Sequence, residues 1–253
     1  CFSLLFDGTN NNRNNIAARE KKEIGFTPKN ENEKKELEAY KDNGDGESSY
    51  DNGRTNIAVM EPQVMPKQEG YDHYFKIYIE GQGTNNLESD DDLMGKGLGI
   101  FGSGVASRAE KGVREAVLAM QDYLDTKPPE EFEIEKIDVD VFGFSRGAAA
   151  ARHSISLMLE WLAPDTIFPN FPLYKRIRVH GYDVTKKMVE VKFAGVYDTL
   201  VSVNASQLSY DAENKLNQRA IALATKSVHL CAAEDHRLDF TLHTIKSALA
   251  KGK

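Results

Sequence analysis

The chain of 253 residues carries a net charge of −7 and has a pI near 5.5, which disfavours a nucleic-acid-binding surface unless charge is strongly segregated. Its length suits one large α/β domain or two small ones. No run of about eighteen apolar residues occurs, so we expect no transmembrane segment; no signal peptide is visible, and two cysteines do not make a disulfide framework.

A short apolar segment opens the chain. Residues Phe2 to Phe6 (FSLLF) predict a buried parallel strand, and the polar run from Asp7 to Asn12 predicts a turn. Loops at the carboxyl ends of parallel strands form the ligand crevice of α/β sheets. Asp7, Gly8 and Thr9 are therefore candidates for a substrate loop that offers a backbone N–H to an oxyanion. The alternative is a simple Asx-type turn.

Residues 13 to 72 differ from the rest in composition. They are rich in Lys, Glu, Asn, Asp and Gly and contain few large apolar residues, which predicts a solvated or mobile insertion. Mixed charges favour a short helix at about Asn32 to Lys41. The stretch from Gly53 to Val59 is better suited to an ordered helix start docked on the site. A lid over the site is the functional alternative for the insertion.

Alternation from Tyr71 to Glu80 predicts the next strand, which ends in the glycine-rich turn Gly81–Thr84. The acidic run Ser89–Asp92 has oxygen ligands for a hard cation but no EF-hand spacing, so a solvated loop is favoured and no metal site is predicted. The run Gly95–Gly104 lacks the ending of a P-loop. A flexible loop beside the active site is favoured there.

A long amphipathic helix is predicted to begin at Ser103 or Gly104 and to end before Pro128. Apolar residues recur at intervals of three and four positions, which indicates one face packed on a core. These residues are Val105, Ala109, Val113, Ala116, Val117, Met120 and Leu124.

The central motif is G-x-S-x-G at positions 143 to 147. Residues Ile137 to Phe142 predict a buried strand, and the alanine-rich run after Gly147 predicts a helix. A strand, G-x-S-x-G and a helix form the context of a nucleophile elbow. Gly143 and Gly147 avoid collisions with the neighbouring backbone, and Ser145 is the candidate nucleophile. The alternative is a serine that only caps the helix.

Asp198 is the candidate acid. It follows the strand predicted at Val189–Val196 and comes after Ser145 in the chain, in keeping with the order serine, acid, histidine of α/β-hydrolases. Such a carboxylate orients the histidine and stabilises its imidazolium form. The alternative is a turn or N-cap aspartate.

No histidine has a convincing catalytic position. Helical spacing from Arg219 to Ala233 puts His229 inside a predicted helix, with His236 beyond it and His243 in a second helical piece. A triad histidine normally follows a late strand, and no strand is predicted here. His73, His153 and His180 precede Asp198 in the chain, whereas the order of α/β-hydrolases places the histidine after the acid. A structural role is therefore predicted for each of them.

Several motifs occur together in the order of one family: FDGTNNN (6–12), EGQGT (80–84), GFSRGAAAAR (143–152), GVYDTLVSV (195–203) and SVHLCAAEDHRLDF (227–240). On these motifs the chain resembles the α/β-hydrolase domain of type VI secretion lipase effectors of the first class. The resemblance implies an α/β-hydrolase-like domain over residues 1–253, with a mainly parallel sheet flanked by helices and the polar insertion after the first strand.

The resemblance also implies a function. It implies a phospholipase or related esterase with Ser145 as nucleophile and Asp198 as acid. Backbone N–H groups of Arg146 and of the Gly8–Thr9 turn would hold the oxyanion, and no metal or organic cofactor is required. The implied partners are an ester or phospholipid substrate and a secretion-apparatus or immunity protein. The implied location is bacterial: cytoplasmic before secretion, then at the membranes of a target cell.

The family histidine lies in a later segment resembling GVHSDIGGGY, which does not occur in this chain. We therefore expect a domain without its C-terminal part and a triad histidine outside the chain. Two rival hypotheses remain at this stage: a non-catalytic binding module on a hydrolase fold, and an esterase or thioesterase for small soluble substrates.

Overall fold

The computed structural model describes residues 1–64, 69–90, 104–127, 134–161, 188–201, 216–233 and 242–246. At its centre lies a parallel sheet of five strands in the order β2-β1-β3-β4-β5. The strands are β1 (Phe2–Phe6), β2 (Phe75–Ile79), β3 (Ile137–Phe144), β4 (Val189–Tyr197) and β5 (Lys226–Leu230).

Helices flank this sheet. They are α1 (Arg13–Glu23), α2 (Glu31–Asn43), α3 (Asn56–Met60), α4 (Val105–Leu124) and α5 (Arg146–Trp161), with short 3-10 helices at Glu61–Gln63 and Gln218–Leu223. The apolar stripe predicted for α4 is confirmed, because all seven of its residues are buried. Within the described ranges, no helix combines the length and the apolar character that crossing a bilayer requires.

One face of the sheet packs on α4 and α5. Phe2, Leu4 and Phe6 of β1 are buried in a single cluster with the apolar face of α4 and the alanines of α5. Gly112 of α4 permits this close packing, because a Cβ there would lie 2.6 Å from Cζ of Phe6. Strand β1 is buried along its whole length, as expected for a parallel strand covered on both faces.

The order of the strands defines where a site is expected. From β1 the chain passes to β2 on one side, and then crosses to β3 on the other side of β1. The loops after β1 and β3 therefore diverge in opposite directions at a topological switch point. Such a point leaves a crevice outside the carboxyl ends of the strands. The Asp7–Thr9 turn follows β1, and Ser145 follows β3.

The prediction of a solvated insertion at residues 13–72 fits α2, which has no buried residue, and is wrong for the parts of the insertion that are packed. Helices α1, α2 and α3 form there, and the expected short helix lies within α2. Five apolar residues of the insertion are fully buried: Ile16, Ala18, Tyr50, Ile57 and Ala58. Hydrogen bonds among buried polar side chains support this packing, as between Asn15 and Ser49 at 2.8 Å.

The prediction of a helix from Arg219 to Ala233 is also wrong. A 3-10 helix ends at Leu223, and residues Lys226–Leu230 then pair with β4 as the edge strand β5. Pairing with the open edge of β4 satisfies backbone groups along a segment too short to form a stable helix alone. His229 therefore lies on the outermost described strand and not in a helix.

The helical piece predicted at His243 is not observed there, because Leu242 forms an isolated bridge with Leu200 and His243 is not helical. The strands predicted around residues 71–80, 137–142 and 189–196 and the helices predicted after Gly104 and Gly147 are confirmed with small shifts of boundary. The strand predicted at Tyr71–Glu80 is shorter, at Phe75–Ile79, and the strand at Val189–Val196 extends to Tyr197. Asp90 of the acidic run accepts hydrogen bonds from the N–H and hydroxyl of Ser49. Asp91 and Asp92 of that run and residues 95–103 of the glycine-rich segment lie outside the described residues, as do Pro128 and Pro129.

Candidate active site at the carboxyl edge of the sheet

Ser145 occupies a sharp turn between β3 and α5. Its φ is 56°, in the left-handed region that costs a non-glycine residue about 1–3 kcal/mol. Its N–H donates to the carbonyl oxygen of Tyr197 at 2.9 Å, and its own carbonyl oxygen accepts from the N–H of Leu200 at 3.2 Å. These bonds join the turn to both sides of Asp198, so the serine and the aspartate lie on neighbouring turns.

The hydroxyl of Ser145 is not used to cap the helix. The residue is half-buried, and no described N–H donates to its Oγ, whereas Thr55 at the start of α3 accepts through Oγ1 from Ala58 at 3.1 Å. A capping serine normally has extended backbone and accepts from the first turn. The geometry of Ser145 differs in both respects and argues against the capping alternative.

The two glycines of the motif are required by close backbone contacts. A Cβ at Gly143 would lie 2.6 Å from Cα of Ala148 and 2.6 Å from the carbonyl oxygen of Gly147. A Cβ at Gly147 would lie 2.6 Å from the carbonyl oxygen of Phe6 and would also collide with that of Asp7. Gly147 thus allows the start of α5 to rest on the end of β1.

We expect Gly147→Ala to destabilise the fold by about 1–3 kcal/mol or more, because the new methyl group meets backbone oxygens that cannot rotate away. Gly53→Ala is the matched control. A Cβ at Gly53 meets nothing within 4 Å and its φ is not positive, so stability should rise by about 0.4–1 kcal/mol. Urea unfolding of both variants measures the difference, and equal stabilities would contradict the close-contact explanation.

Asp198 lies on the turn after β4, and its φ of 43° is also left-handed. Its N–H donates to the carbonyl oxygen of Leu230 at 2.9 Å. Its Oδ1 accepts from the N–H of Ala232 at 2.6 Å. The carboxylate is therefore held from the side of β5, and no described group donates to its Oδ2.

The turn after β1 has a more structural role than its sequence predicts. Asp7 is 1% exposed, and its Oδ1 accepts from the N–H of Gly8 at 2.8 Å and from the hydroxyl of Thr55 at 2.7 Å. Its Oδ2 accepts from the hydroxyl of Tyr78 at 2.6 Å. Because the Gly8 N–H donates to Asp7, Thr9 is the better candidate of the two for a donor to an oxyanion.

Thr9 and Arg146 are the other two residues predicted to offer backbone N–H groups. The Thr9 hydroxyl donates to Oε1 of Gln82 at 3.3 Å, while its N–H has no acceptor among the described residues. Arg146 is the first residue of α5, where N–H groups point out of the helix end. Gly8 packs beside the elbow, since a Cβ there would lie 2.7 Å from Cδ1 of Phe144.

Burial determines the electrostatics of the Asp7 network. It raises the pKa of Asp7 above its ordinary value, against the opposing effect of hydrogen bonds from Tyr78, Thr55 and Gly8. Burial and the neighbouring carboxylate of Asp7 also raise the pKa of Tyr78. The tyrosine therefore stays a hydrogen-bond donor to Asp7 at neutral pH.

The described histidines lie at different ends of the sheet. His73 stacks on Tyr123 at the amino-terminal edge, with ring centroids 4.0 Å apart. His153 accepts through Nδ1 from the N–H of Asn217 at 3.2 Å. His229 and His243 both contact Thr199, the residue directly after Asp198. The helix predicted for residues 219–233 did not place His229 beside Asp198. The alternation of K-S-V-H-L was the available signal. His180 and His236 lie outside the described residues.

A cleft at the opposite, amino-terminal edge is lined in part by Tyr71, His73, Lys136 and Asp138. Its charged groups pair with each other: Asp138 accepts from the Tyr71 hydroxyl at 2.6 Å and lies 3.1 Å from Nζ of Lys136. Hydrogen bonding to Asp138 and burial raise the pKa of Tyr71 to about 12. Across the described ranges, no group of three acidic, histidine or cysteine side chains is arranged to hold a metal ion.

No model of a protein family matches the sequence, and no curated protein matches it. Among solved structures, the chain is similar to the Tle1 effector bound to the VgrG spike from the type 6 secretion system, with 24% identity and a TM-score of 0.55. The match covers 97% of this chain and 47% of that one, so the chain spans about half the length of Tle1.

A second solved structure, an uncharacterized protein from Pseudomonas aeruginosa, has 16% identity and a TM-score of 0.48 over 96% of this chain and 36% of its own.

The likeness to Tle1 establishes a shared fold. A parallel five-stranded sheet flanked by helices is consistent with an α/β-hydrolase-like fold, and the fold class predicted from the sequence is confirmed.

Proposed function

We propose that the protein is a serine hydrolase of carboxylic esters, with Ser145 as nucleophile and Asp198 as the acid of a Ser-Asp-His triad. The observation that carries the proposal is the left-handed turn at Ser145, whose Oγ bonds to no described residue and which is hydrogen-bonded to both sides of the Asp198 turn. A strained serine above a helix start, next to a carboxylate turn, suits a nucleophile.

The chemistry proceeds in two halves. Ser145 Oγ attacks the ester carbonyl carbon while its proton passes to a neutral histidine, which we assign to a part of the protein outside the described residues. The tetrahedral intermediate collapses, and the alcohol leaves with that proton. Water then attacks the acyl-enzyme by the same route, releasing the carboxylic acid and restoring Ser145. The charge on Asp198 stabilises the imidazolium that forms in each half.

Two backbone N–H groups are proposed to hold the oxyanion, those of Thr9 and Arg146. They lie on the turns that follow β1 and β3 at the switch point of the sheet. Asp7 supports this loop, since its bonds to Gly8 and Thr55 fix the backbone that leads to Thr9. One such donor is typically worth about 10² to 10³ in rate. The chemistry requires no metal or organic cofactor.

The substrate class that we propose is a phospholipid, cleaved by a secreted bacterial lipase effector at the membrane of a target cell. Two facts support this choice: the family resemblance of the five sequence motifs, and the fold shared with the Tle1 effector. Because Tle1 is bound to a VgrG spike, we propose a spike protein of a secretion apparatus as the delivery partner, with an immunity protein as a further partner.

A fluorophosphonate probe tests the reaction class. In the full-length protein, Ser145 Oγ should displace fluoride and form a stable phosphonate ester. Mass spectrometry of the digested protein locates this ester on the peptide that contains Ser145. Ser145→Ala should not label, and heat-unfolded wild-type protein controls for non-specific reaction. A folded wild-type protein that stays unlabelled would contradict the proposal and favour a non-catalytic binding module.

A comparison of substrates tests the proposed lipid class. We expect faster turnover on phospholipid vesicles than on monomeric short-chain esters at equal ester concentration, because an interfacial enzyme acts on aggregated substrate. The reverse preference, in protein that labels at Ser145, would leave the hydrolase proposal in place and reassign it to small soluble esters.

A further inference from the structure

The turn that carries Asp198 is held by its neighbours through four hydrogen bonds. Two involve Asp198 itself: its N–H to Leu230 and its Oδ1 from Ala232. Two involve the next residue, Thr199, whose N–H donates to Nε2 of His229 at 3.3 Å and whose carbonyl oxygen accepts from the N–H of His243 at 2.8 Å. All four partners come from β5, the residues after it, or the segment 242–246.

The bond from Thr199 to His229 is the one made by an imidazole, whose charge changes near neutral pH. Thr199 is 0% exposed, so its N–H has no water to replace the imidazole, and an unpaired buried N–H is strongly unfavourable. Accepting this bond requires a neutral ring with its proton on Nδ1, since a protonated imidazole has no lone pair at Nε2. Protonation of His229 would place its Nε2–H directly opposite the Thr199 N–H, so that two donors face each other.

This bond also argues against His229 as the general base. A base must accept the proton of Ser145 Oγ through an unprotonated ring nitrogen. The lone pair at Nε2 of His229 is already directed at Thr199, and Nδ1 carries the proton. The residue therefore acts through Thr199 and not on the substrate.

The surroundings of His229 favour its neutral form. Three groups face it from the packed elements: Arg152 of α5, Asp198 after β4, and His243 of the segment 242–246. Burial, followed by the positive charge of Arg152, lowers the pKa of His229, with Asp198 acting in the opposite direction. Arg152 is 1% exposed and is held by the carbonyl oxygens of Gln218 and His243 at 2.9 and 3.0 Å.

We propose that His229 is a positioning residue for Asp198: its neutral ring holds the Thr199 N–H and thereby maintains the left-handed backbone that presents the carboxylate beside the Ser145 turn. The inference rests on the proposed function for the role of Asp198 in the reaction. The contact between His229 and Thr199 is independent of that role, so the two are tested separately.

The first test follows the Thr199 amide by ¹H–¹⁵N NMR of the whole protein, labelled selectively with ¹⁵N-threonine, between pH 5 and 8; the peak is assigned by its loss in Thr199→Ser. Because the folded pKa of His229 lies below the unfolded value of about 6.5, the ring stays neutral until the pH falls below that value. We expect the amide to shift with a midpoint below 6.5, and to be independent of pH in His229→Gln, whose side-chain oxygen accepts the same bond but does not titrate.

The same titration affects stability. As the pH falls, the unfolded chain binds a proton at position 229 before the folded chain does, so the free energy of unfolding decreases below about pH 6.5. The difference in this free energy between wild type and His229→Gln should therefore grow in favour of the glutamine variant as the pH is lowered. This readout requires no catalytic activity.

The second test is kinetic. His229→Ala should lower kcat on an ester about 10- to 100-fold with little change in KM. A displaced carboxylate stabilises the transition state less well, while substrate binding does not depend on it. His229→Gln should recover most of the lost rate. His153→Ala is the matched control: it removes an equivalent bond from a backbone N–H to an imidazole, but away from Asp198, and should leave kcat and the Thr199 titration unchanged.

Two results would overturn the inference. One is a Thr199 amide that does not move while the His229 ring protons titrate. The other is a His229→Gln variant that is folded by circular dichroism yet as slow as His229→Ala. If wild-type protein lacks esterase activity altogether, the proposed function fails, and the NMR and stability measurements still decide whether His229 holds the turn.

Discussion

Replacing Ser145 by alanine in the full-length protein should lower turnover of an ester by about six orders of magnitude, as in dissected serine hydrolases. The change removes the attacking oxygen and leaves the backbone donors in place, so binding of substrate and a low residual rate should remain. Initial rates on a chromogenic ester, measured at high enzyme concentration, cover the required range. Substantial activity in this variant would refute the assignment of the nucleophile.

Ser145→Gly is the matched variant that separates chemistry from strain. It removes the hydroxyl like the alanine variant, but glycine adopts a φ of 56° without the penalty of a Cβ. We expect the same loss of activity and a free energy of unfolding about 1 kcal/mol above that of Ser145→Ala. Equal stabilities would contradict the description of this turn as strained.

Asp198→Asn should lower kcat by about four orders of magnitude, the size of effect seen when a triad acid loses its charge but keeps its shape. Asparagine suits this position, because it tolerates left-handed backbone and its side-chain oxygen still accepts from Ala232. The loss should therefore appear in kcat while the urea midpoint changes little. Steady-state kinetics and urea unfolding on the same preparation measure both.

Asp140→Asn provides the control for this prediction. Asp140 lies within β3, five positions before Ser145, and burial raises its pKa. It has no contact with the Asp198 turn, so we expect wild-type kcat. If both asparagine variants lost activity equally, a general electrostatic effect would explain the result better than a triad acid. If neither lost activity, Asp198 would be only a turn residue.

The sequence predicts the central part of the fold well, for a physical reason. Strand β1 is apolar and buried along its whole length, and the apolar positions Val139, Val141, Val191 and Val196 of β3 and β4 are buried. Helix α4 repeats its apolar residues along one face, so local pattern and burial agree. The turn at Ser145 was predictable because two glycines and a serine at fixed spacing satisfy backbone contacts within a few residues of each other.

Local pattern alone did not distinguish strand β5 from a helix, although the alternation of K-S-V-H-L fits a strand. Its five residues are half-buried or exposed, and the apolar spacing of residues 219–233 also fits a helix. Pairing with β4 decides between the two, and that interaction is non-local. The position of His229 depends on this pairing. The hydrogen bond from the Gly8 N–H to Asp7 was not predictable either. It depends on the orientation of the Asp7 carboxylate, which Thr55 and Tyr78 hold from distant parts of the chain.

The insertion after β1 has a consequence for protein engineering. Thr55 at the start of α3 donates to Asp7, and Asn52 donates to the carbonyl oxygen of Asn10, so the insertion supports the loop that follows β1. A shortened version lacking residues 13–64 would leave the Asp7 carboxylate without one of its three donors and would uncover apolar side chains of the sheet. Trimming this region to improve crystals or expression would therefore alter the loop that leads to Thr9. Substitutions on α2, which has no buried residue, should be harmless.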